Sequence, residues 1–128
     1  MGWDAFATKD GKMLKCDYSK EAEWAGMIVN PILRDAFGKA NDKGMKIAGS
    51  VDGLLRDGGL DCSDCAYALR DATGMDCWSE DNLTPEVVKY YWEEAGWPPR
   101  DEWNWAVASA YYFLKTCAKN GLGIYFSW

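Results

Sequence analysis

The segments with β-strand character lie at the two ends of the chain, and helix signals fill the region between them. Near the N-terminus, Asp10-Gly11 separates two alternating runs, residues 3–8 and 12–16. Asp-Gly favours two-residue hairpin turns, so these runs predict a β-hairpin. Residues 124–128 alternate in the same way and predict a terminal strand. Since an isolated hairpin is only marginally stable in water, we expect this strand to join the hairpin in a small antiparallel sheet.

Capping and turn residues divide the middle of the chain into about five or six helices. The expected starts are Ser19, Asn30-Pro31, Ser50, Asp61 or Ser63, Thr84-Pro85 and Asp101, and the expected stops are Gly44, Gly58-Gly59, Gly74, Gly96 and Asn120-Gly121. The helix that starts at Ser50 is short and contains Val51, Leu54 and Leu55. The sequence therefore predicts an α+β fold, mainly helical, in which these helices cover the sheet. With 128 residues and no linker or repeat, residues 1–128 are expected to form a single globular domain.

Histidine is absent from the sequence. Its absence excludes Ser–His–Asp and Cys–His catalysis and every metal site with an imidazole ligand. The sequence also contains no Gly-rich phosphate loop and no calcium-loop spacing. We therefore expect neither a complete catalytic constellation nor a cofactor, which favours a protein that is not an enzyme.

The five cysteines, at positions 16, 62, 65, 77 and 117, are odd in number and scattered. That distribution suits reduced thiols better than a secreted disulfide framework. The sequence lacks a secretory signal and any apolar stretch of the ~20 residues that a spanning helix needs, so we expect a cytoplasmic protein. The Cys62-x-x-Cys65 pair leaves open a thiol-redox activity, or a zinc site completed by Cys16 and Cys77.

The segment 59–65, Gly-Leu-Asp-Cys-Ser-Asp-Cys, contains the tripeptide Asp61-Cys62-Ser63 at a predicted helix start. This tripeptide resembles the nucleophile motif of the NlpC/P60 cysteine peptidases, in which Asp-Cys-Ser opens a helix. The resemblance implies that Cys62 lies at a helix N-terminus, where the thiolate is favoured. The catalytic histidine of that family has no counterpart in this chain, so peptidase activity is not expected.

Negative charge is concentrated in the middle of the chain. The net charge is −6, yet residues 52–102 carry thirteen acidic and four basic side chains. Such an excess repels nucleic acid and anionic membranes and favours basic partners. We therefore expect a non-catalytic protein-binding module that presents an acidic surface to a basic protein surface, without direct contact to nucleic acid or membrane.

The expected contact residues combine acidic side chains with two of the eight tryptophans, because Trp buries much area with few rotors. They are Asp57, Asp61, Asp64, Asp76, Trp78, Glu80, Asp81 and Trp97. In size and charge the chain resembles phage-encoded inhibitors that occupy nucleic-acid-binding surfaces of host machinery, and this resemblance implies a partner of that kind. The aromatic residues also leave open a small-molecule or sugar-binding domain, and the many carboxylates leave open glycoside hydrolysis.

Overall fold

Strands from both ends and from the middle of the chain form one antiparallel sheet, and helices pack against it. The computed structural model describes residues 2–13, 31–56, 58–79 and 82–128. In these ranges the strands are β1 (Asp4–Lys9), β2 (Lys12–Met13), β3 (Leu54–Leu55), β4 (Gly59–Asp61) and β5 (Gly123–Ser127). The helices are α1 (Pro31–Ala48), α2 (Ser63–Thr73), α3 (Pro85–Glu94) and α4 (Trp105–Lys119), and a 3-10 turn, Arg100–Glu102, precedes α4.

The central strand of the sheet is β1. Along one edge it pairs with all of β5. Its other edge is shared, because Asp4–Phe6 pair with β4 whereas Thr8–Lys9 pair with β2. Strand β3 extends the sheet beyond β4. The predicted hairpin and the predicted joining of the C-terminal strand to it are therefore confirmed.

Asp10 and Gly11 form the turn between β1 and β2. Both residues have positive φ, 53° and 77° respectively, as a type I′ turn requires. Lys9 and Lys12 pair directly across the turn. Strand β2 is described as far as Met13, and the part of the predicted strand that continues to residue 16 lies outside the described residues.

The central helix of the fold is α4. Small and apolar residues occur on all its sides and nine of its fifteen residues are buried, as expected for a helix in a protein interior. It contacts the other three helices and strands β3, β4 and β5. Phe113 of α4 belongs to the same core as Phe37 of α1, Trp3 and Ile124. Among the residues that the structure describes, no helix combines the length and apolar character that crossing a membrane would require.

The α+β class is confirmed, but the predicted number of helices differs from the observed one. Four α-helices lie in the described ranges, where five were predicted, and the helix predicted to start at Ser19 lies outside those ranges. The short helix predicted for Val51, Leu54 and Leu55 is wrong. These residues form a turn followed by β3, in which Leu54 pairs with Leu60 of β4.

A strand replaces that short helix because the segment approaches β4 and α2 too closely for a helix. The Gly53 carbonyl accepts a hydrogen bond from the Asp61 N–H at 2.7 Å. A Cβ at Gly53 would clash with the Sγ of Cys65. Leu54 and Leu60 are both buried. Pairing with β4 thus buries two leucines and satisfies backbone groups that a helix of one or two turns would leave unpaired at its ends.

Two helix boundaries differ from prediction. Helix α1 continues through Gly44, where a Cβ would lie 2.5 Å from the Cγ1 of Val51. Gly44 therefore permits close packing against the helix and does not end it. Helix α4 begins after Asn104, whose Oδ1 accepts a hydrogen bond from the Val107 N–H at 3.0 Å. Asp101, the predicted cap, lies instead in the preceding 3-10 turn.

Candidate partner-binding surface

One side of α2 is exposed and carries two carboxylates. Buried residues on the opposite side hold the helix against α4. The exposed side presents Asp64, Tyr67, Ala68 and Asp71, which we call the acidic stripe. Their spacing of i, i+3, i+4 and i+7 puts all four on one face of the helix. Because the two carboxylates are seven residues apart, they are separated by about 10.5 Å along the helix axis.

A cleft lies between the acidic stripe and the first turn of α4. The stripe forms one wall, and Asn104, Trp105, Ala106 and Val107 contribute the other. Its volume is about 380 Å³. Because both walls belong to helices, and the Asn104 side chain caps α4, the shape of the cleft is set by regular structure. A cleft of this size can receive a side chain of a partner.

Tyr67 connects the acidic stripe to an aromatic series that reaches the core. Its side chain is 44% exposed, and its ring centroid lies 5.4 Å from that of Trp78. Trp78 lies 6.3 Å from Trp3, and the buried Nε1 of Trp3 donates a hydrogen bond to the Cys77 carbonyl at 2.7 Å. The exposed tyrosine is therefore backed by half-buried and buried rings, an arrangement that limits its side-chain motion.

Arg70 adds one positive charge beside the acidic stripe. Its guanidinium lies 4.9 Å from the centroid of the Tyr67 ring, within the range of a cation–π interaction. It also lies 3.4 Å from the Asp71 carboxylate. Both side chains of this ion pair are largely exposed, so it contributes little to stability. The Tyr67 ring thus already accommodates a guanidinium group.

A second pair of carboxylates lies just before α2, at the junction of β1 and β4. Asp4 and Asp61 are direct partners in the sheet. Burial, the hydrogen bond with Asp61 and the negative charge of Asp61, in that order of size, together raise the pKa of Asp4 from 3.8 to about 6. Direct partners in an antiparallel pair project to the same face of the sheet with Cβ atoms about 5 Å apart, so the two carboxyl side chains are neighbours.

Cys62 joins β4 to α2 with an unusual backbone conformation. Its φ is 88°, which is rare for a residue with a Cβ. Its N–H donates to the Trp3 carbonyl at 3.0 Å, and its own carbonyl accepts from the Ala66 N–H. The Sγ lies 3.9 Å from the Asp64 carboxylate. Helix α2 begins at the next residue, which is the position that the Asp-Cys-Ser resemblance implied.

The other described thiols are buried in the core. Burial raises the pKa of Cys65 and of Cys77 to about 12, and it also raises the pKa of Cys117. A thiol with such a pKa provides almost no thiolate at neutral pH, so Cys65 is poorly suited to the redox role left open for the Cys-x-x-Cys pair. Within the described ranges, no three Cys, Asp or Glu side chains are grouped closely enough to hold a metal ion. Cys16, the fourth suggested zinc ligand, lies outside these ranges.

The structure places four of the predicted contact residues around α2. Asp64 lies in its first turn, Asp61 at the end of the preceding strand, and Asp76 and Trp78 in the turn that follows the helix. The Asp76 carboxylate accepts a hydrogen bond from the Trp78 N–H at 3.1 Å, which fixes that turn. Three further predicted residues lie outside the described residues: Asp57, Glu80 and Asp81.

Trp97, the second predicted anchor, belongs to a different ring cluster. Its centroid lies 5.2 Å from that of Tyr111 in α4. Trp92 and Trp103 pack on the same tyrosine at 5.2 and 4.6 Å. The Nε1 of Trp103 donates to the Pro98 carbonyl at 2.7 Å. This cluster attaches the segment between α3 and α4 to the core, so Trp78 and Trp97 do not share one aromatic contact surface.

Tyr67, Asp71 and Asp4 were not among the contact residues predicted from the sequence. Tyr67 and Asp71 follow Asp64 at helical spacing, so the periodicity of α2 contained the signal that identifies the stripe. Asp4 carried no such signal, because its proximity to Asp61 depends on the pairing of β1 with β4. No protein-family model matches the chain, and neither curated proteins nor solved structures include a match to it.

Proposed function

We propose that this chain is a non-catalytic, cytoplasmic protein-binding module whose acidic stripe contacts a basic partner. The observation that supports this proposal is the arrangement of Asp64, Tyr67 and Asp71 along one exposed side of α2. An aromatic side chain between two carboxylates combines contact area with charge. Tyrosine is enriched in protein interfaces because it buries a large surface with few rotors.

The spacing of the carboxylates indicates the geometry of the partner. A helix that carries Arg or Lys at i and i+7 separates these cations by about 10.5 Å. In an extended strand, residues i and i+3 are also about 10 Å apart but point to opposite faces, so a helix is the better match. The helical arrangement would place one cation on Asp64 and the other on Asp71. A guanidinium from the partner can in addition take the place that Arg70 occupies on the Tyr67 ring, where it lies 4.9 Å from the centroid.

Charge complementarity of this kind mainly accelerates association and selects the partner. The excess of thirteen acidic over four basic side chains in residues 52–102 extends the negative field beyond the stripe itself. A protein surface that binds nucleic acid presents closely spaced Lys and Arg. We therefore include in the proposal that the partner is such a surface and that the chain acts as a phage-type inhibitor by occupying it.

The proposal is tested with a charge-reversed stripe, Asp64→Lys/Asp71→Lys, and a single-site control outside the stripe, Glu94→Lys. Glu94 is exposed and ends α3, where a lysine complements the helix dipole. The probe is a fluorescent helical peptide with Arg at i and i+7, and its affinity is measured by anisotropy at low and moderate salt. We expect the reversed stripe to weaken binding at least tenfold, the control to change it less than twofold, and added salt to weaken wild-type binding.

Equal affinities of the wild type and the reversed stripe would refute the proposal. The same variants test the natural partner in affinity capture from lysate followed by mass spectrometry. A partner that is captured by the wild type and by Glu94→Lys, lost with the reversed stripe, and competed off by nucleic acid would support the inhibitor role. A captured partner that nucleic acid does not displace would contradict that role while leaving the basic contact in place.

A further inference from the structure

A groove between α1 and α4 carries four lysines in this acidic protein. Lys39 and Lys43 lie on α1, and Lys115 and Lys119 lie on α4. On each helix the two lysines are four residues apart, so their side chains project from the same face with a rise of about 6 Å between them. Among the described residues that line the groove, none is acidic. We call this feature the lysine groove.

The floor of the lysine groove is small and mostly apolar. Besides the lysines, the lining consists of Ala36 and Ala40 of α1 with Tyr112 and Thr116 of α4 and Asn120 just beyond the end of α4. Ala40, Tyr112 and Thr116 are buried. The groove has a volume of about 270 Å³. The alanines keep the groove open because they extend little from the helix. An apolar floor between rows of cations is suited to a ligand that is itself apolar on one side and anionic on its flanks.

Ion pairing between described residues accounts for one of the four lysines. Lys39 pairs with Asp35 one turn earlier, at 2.9 Å, and both side chains are largely exposed. Within the part of the chain that the structure describes, no carboxylate lies within ion-pair distance of the other three. The dipole of α4 favours Lys119, in its last turn, but it does not account for Lys43 in the interior of α1.

We infer that the lysine groove binds an acidic amphipathic helix of a partner protein. Such a helix would lay its apolar face on the alanines and direct Glu or Asp side chains to the lysines on both sides. Glutamates at i and i+4 repeat every 6 Å or so along a helix, which matches the lysine spacing. Three helices then pack in the usual ridges-into-grooves manner.

Other anionic ligands fit the groove less well. Phosphate-binding sites commonly use the free N–H groups of a helix N-terminus, whereas this groove is lined by the interior of α1 and the C-terminal half of α4. There the helical N–H groups are already bonded within the helix. Nucleic acid is disfavoured by the net charge of −6. The apolar floor favours a peptide, which can contribute apolar side chains as well as carboxylates.

The test uses a charge-reversed groove, Lys43→Glu/Lys119→Glu, and a single-site control, Lys89→Glu on α3, which does not line the groove. The probe is a fluorescent helical peptide with paired Glu at i and i+4 beside a Leu/Ala face, and its Glu→Gln version is the neutral control. We expect wild type and Lys89→Glu to bind the acidic probe equally, and the reversed groove to bind it at least tenfold more weakly. The Gln version should bind weakly to all three proteins.

Three results would overturn the inference. The first is equal binding of the acidic probe by the wild type and the reversed groove. The second is displacement of the probe by equimolar ATP or pyrophosphate, which would identify a small-anion site. The third is self-association of the wild type that increases with concentration in sedimentation experiments and is abolished both in the reversed groove and in Asp64→Lys/Asp71→Lys. That result would identify a second copy of this chain, bound through its acidic stripe, as the occupant. Circular dichroism of the variants verifies that each is folded.

Discussion

The pairing of Asp4 with Asp61 predicts a specific dependence of stability on pH. In the folded protein the pKa of Asp4 is raised from 3.8 to about 6, first by burial and then by Asp61. The folded protein therefore holds a proton more tightly than the unfolded chain. Between pH 4 and 6 unfolding releases that proton, so the free energy of unfolding falls as the pH rises through this window. Below pH 4 the Asp4 carboxyl is protonated in both states, so it no longer lowers the free energy of unfolding.

Replacing Asp4 by Asn removes this loss of unfolding free energy, because the amide is neutral at every pH. A shift of about two pKa units corresponds to at most about 3 kcal/mol. Asp4 is only half-buried, so solvent screening reduces the effect, and we expect about 1 kcal/mol. Asp4→Asn should thus match the wild type near pH 4 and exceed its stability by about 1 kcal/mol at pH 8.

Urea unfolding monitored by tryptophan fluorescence, repeated at each pH unit from 4 to 8, measures this difference. The difference between variant and wild type isolates Asp4 from the other carboxylates, which titrate in both proteins. Asp10→Asn provides a matched control, because Asp10 is exposed in the hairpin turn and Asn-Gly also favours that turn. A stability difference between Asp4→Asn and wild type that stays constant from pH 4 to 8 would refute the raised pKa of Asp4.

Three further outcomes follow from the core. Trp3→Phe should destabilise the protein by roughly 2–3 kcal/mol in urea unfolding, because it leaves the buried Cys77 carbonyl without its donor at 2.7 Å and creates a small cavity. Gly53→Ala should cost about 1–3 kcal/mol by overpacking against the Cys65 Sγ, and adding Cys65→Ala should restore part of the loss. Alkylation of the native protein at pH 8, mapped on peptides, should label Cys62 but spare Cys65 and Cys77. Burial raises the pKa of each of these two thiols to about 12. Equal labelling of the three cysteines would contradict their burial.

Features that depend on neighbouring residues were predictable from the sequence. The Asp10-Gly11 turn requires positive φ at two adjacent residues, and the dipeptide itself carries that preference. The start of α3 at Thr84-Pro85 is equally local, since Thr84 accepts a hydrogen bond from the Val87 N–H and Pro85 occupies the first helical position. The prediction of the α+β class rested on these signals.

Features that depend on contact between distant segments were not predictable. The segment around Leu54 is too short to show a clear period, and its strand character arises from pairing with Leu60. The acidic stripe was only partly predicted, because Asp64 was identified without Tyr67 and Asp71, although helical periodicity linked them.

The sequence by itself determined which residues make turns, caps and helix faces, and it determined that histidine chemistry is absent. Only the tertiary structure decided which charges meet. Asp4 approaches Asp61 through strand register, and Lys43 and Lys119 line the same groove because α1 packs on α4. The physical reason is that local conformational preferences act over a few residues, whereas burial of the apolar faces of α1, α2 and α4 sets the long-range arrangement. That arrangement gives an acidic chain one acidic surface and one basic groove.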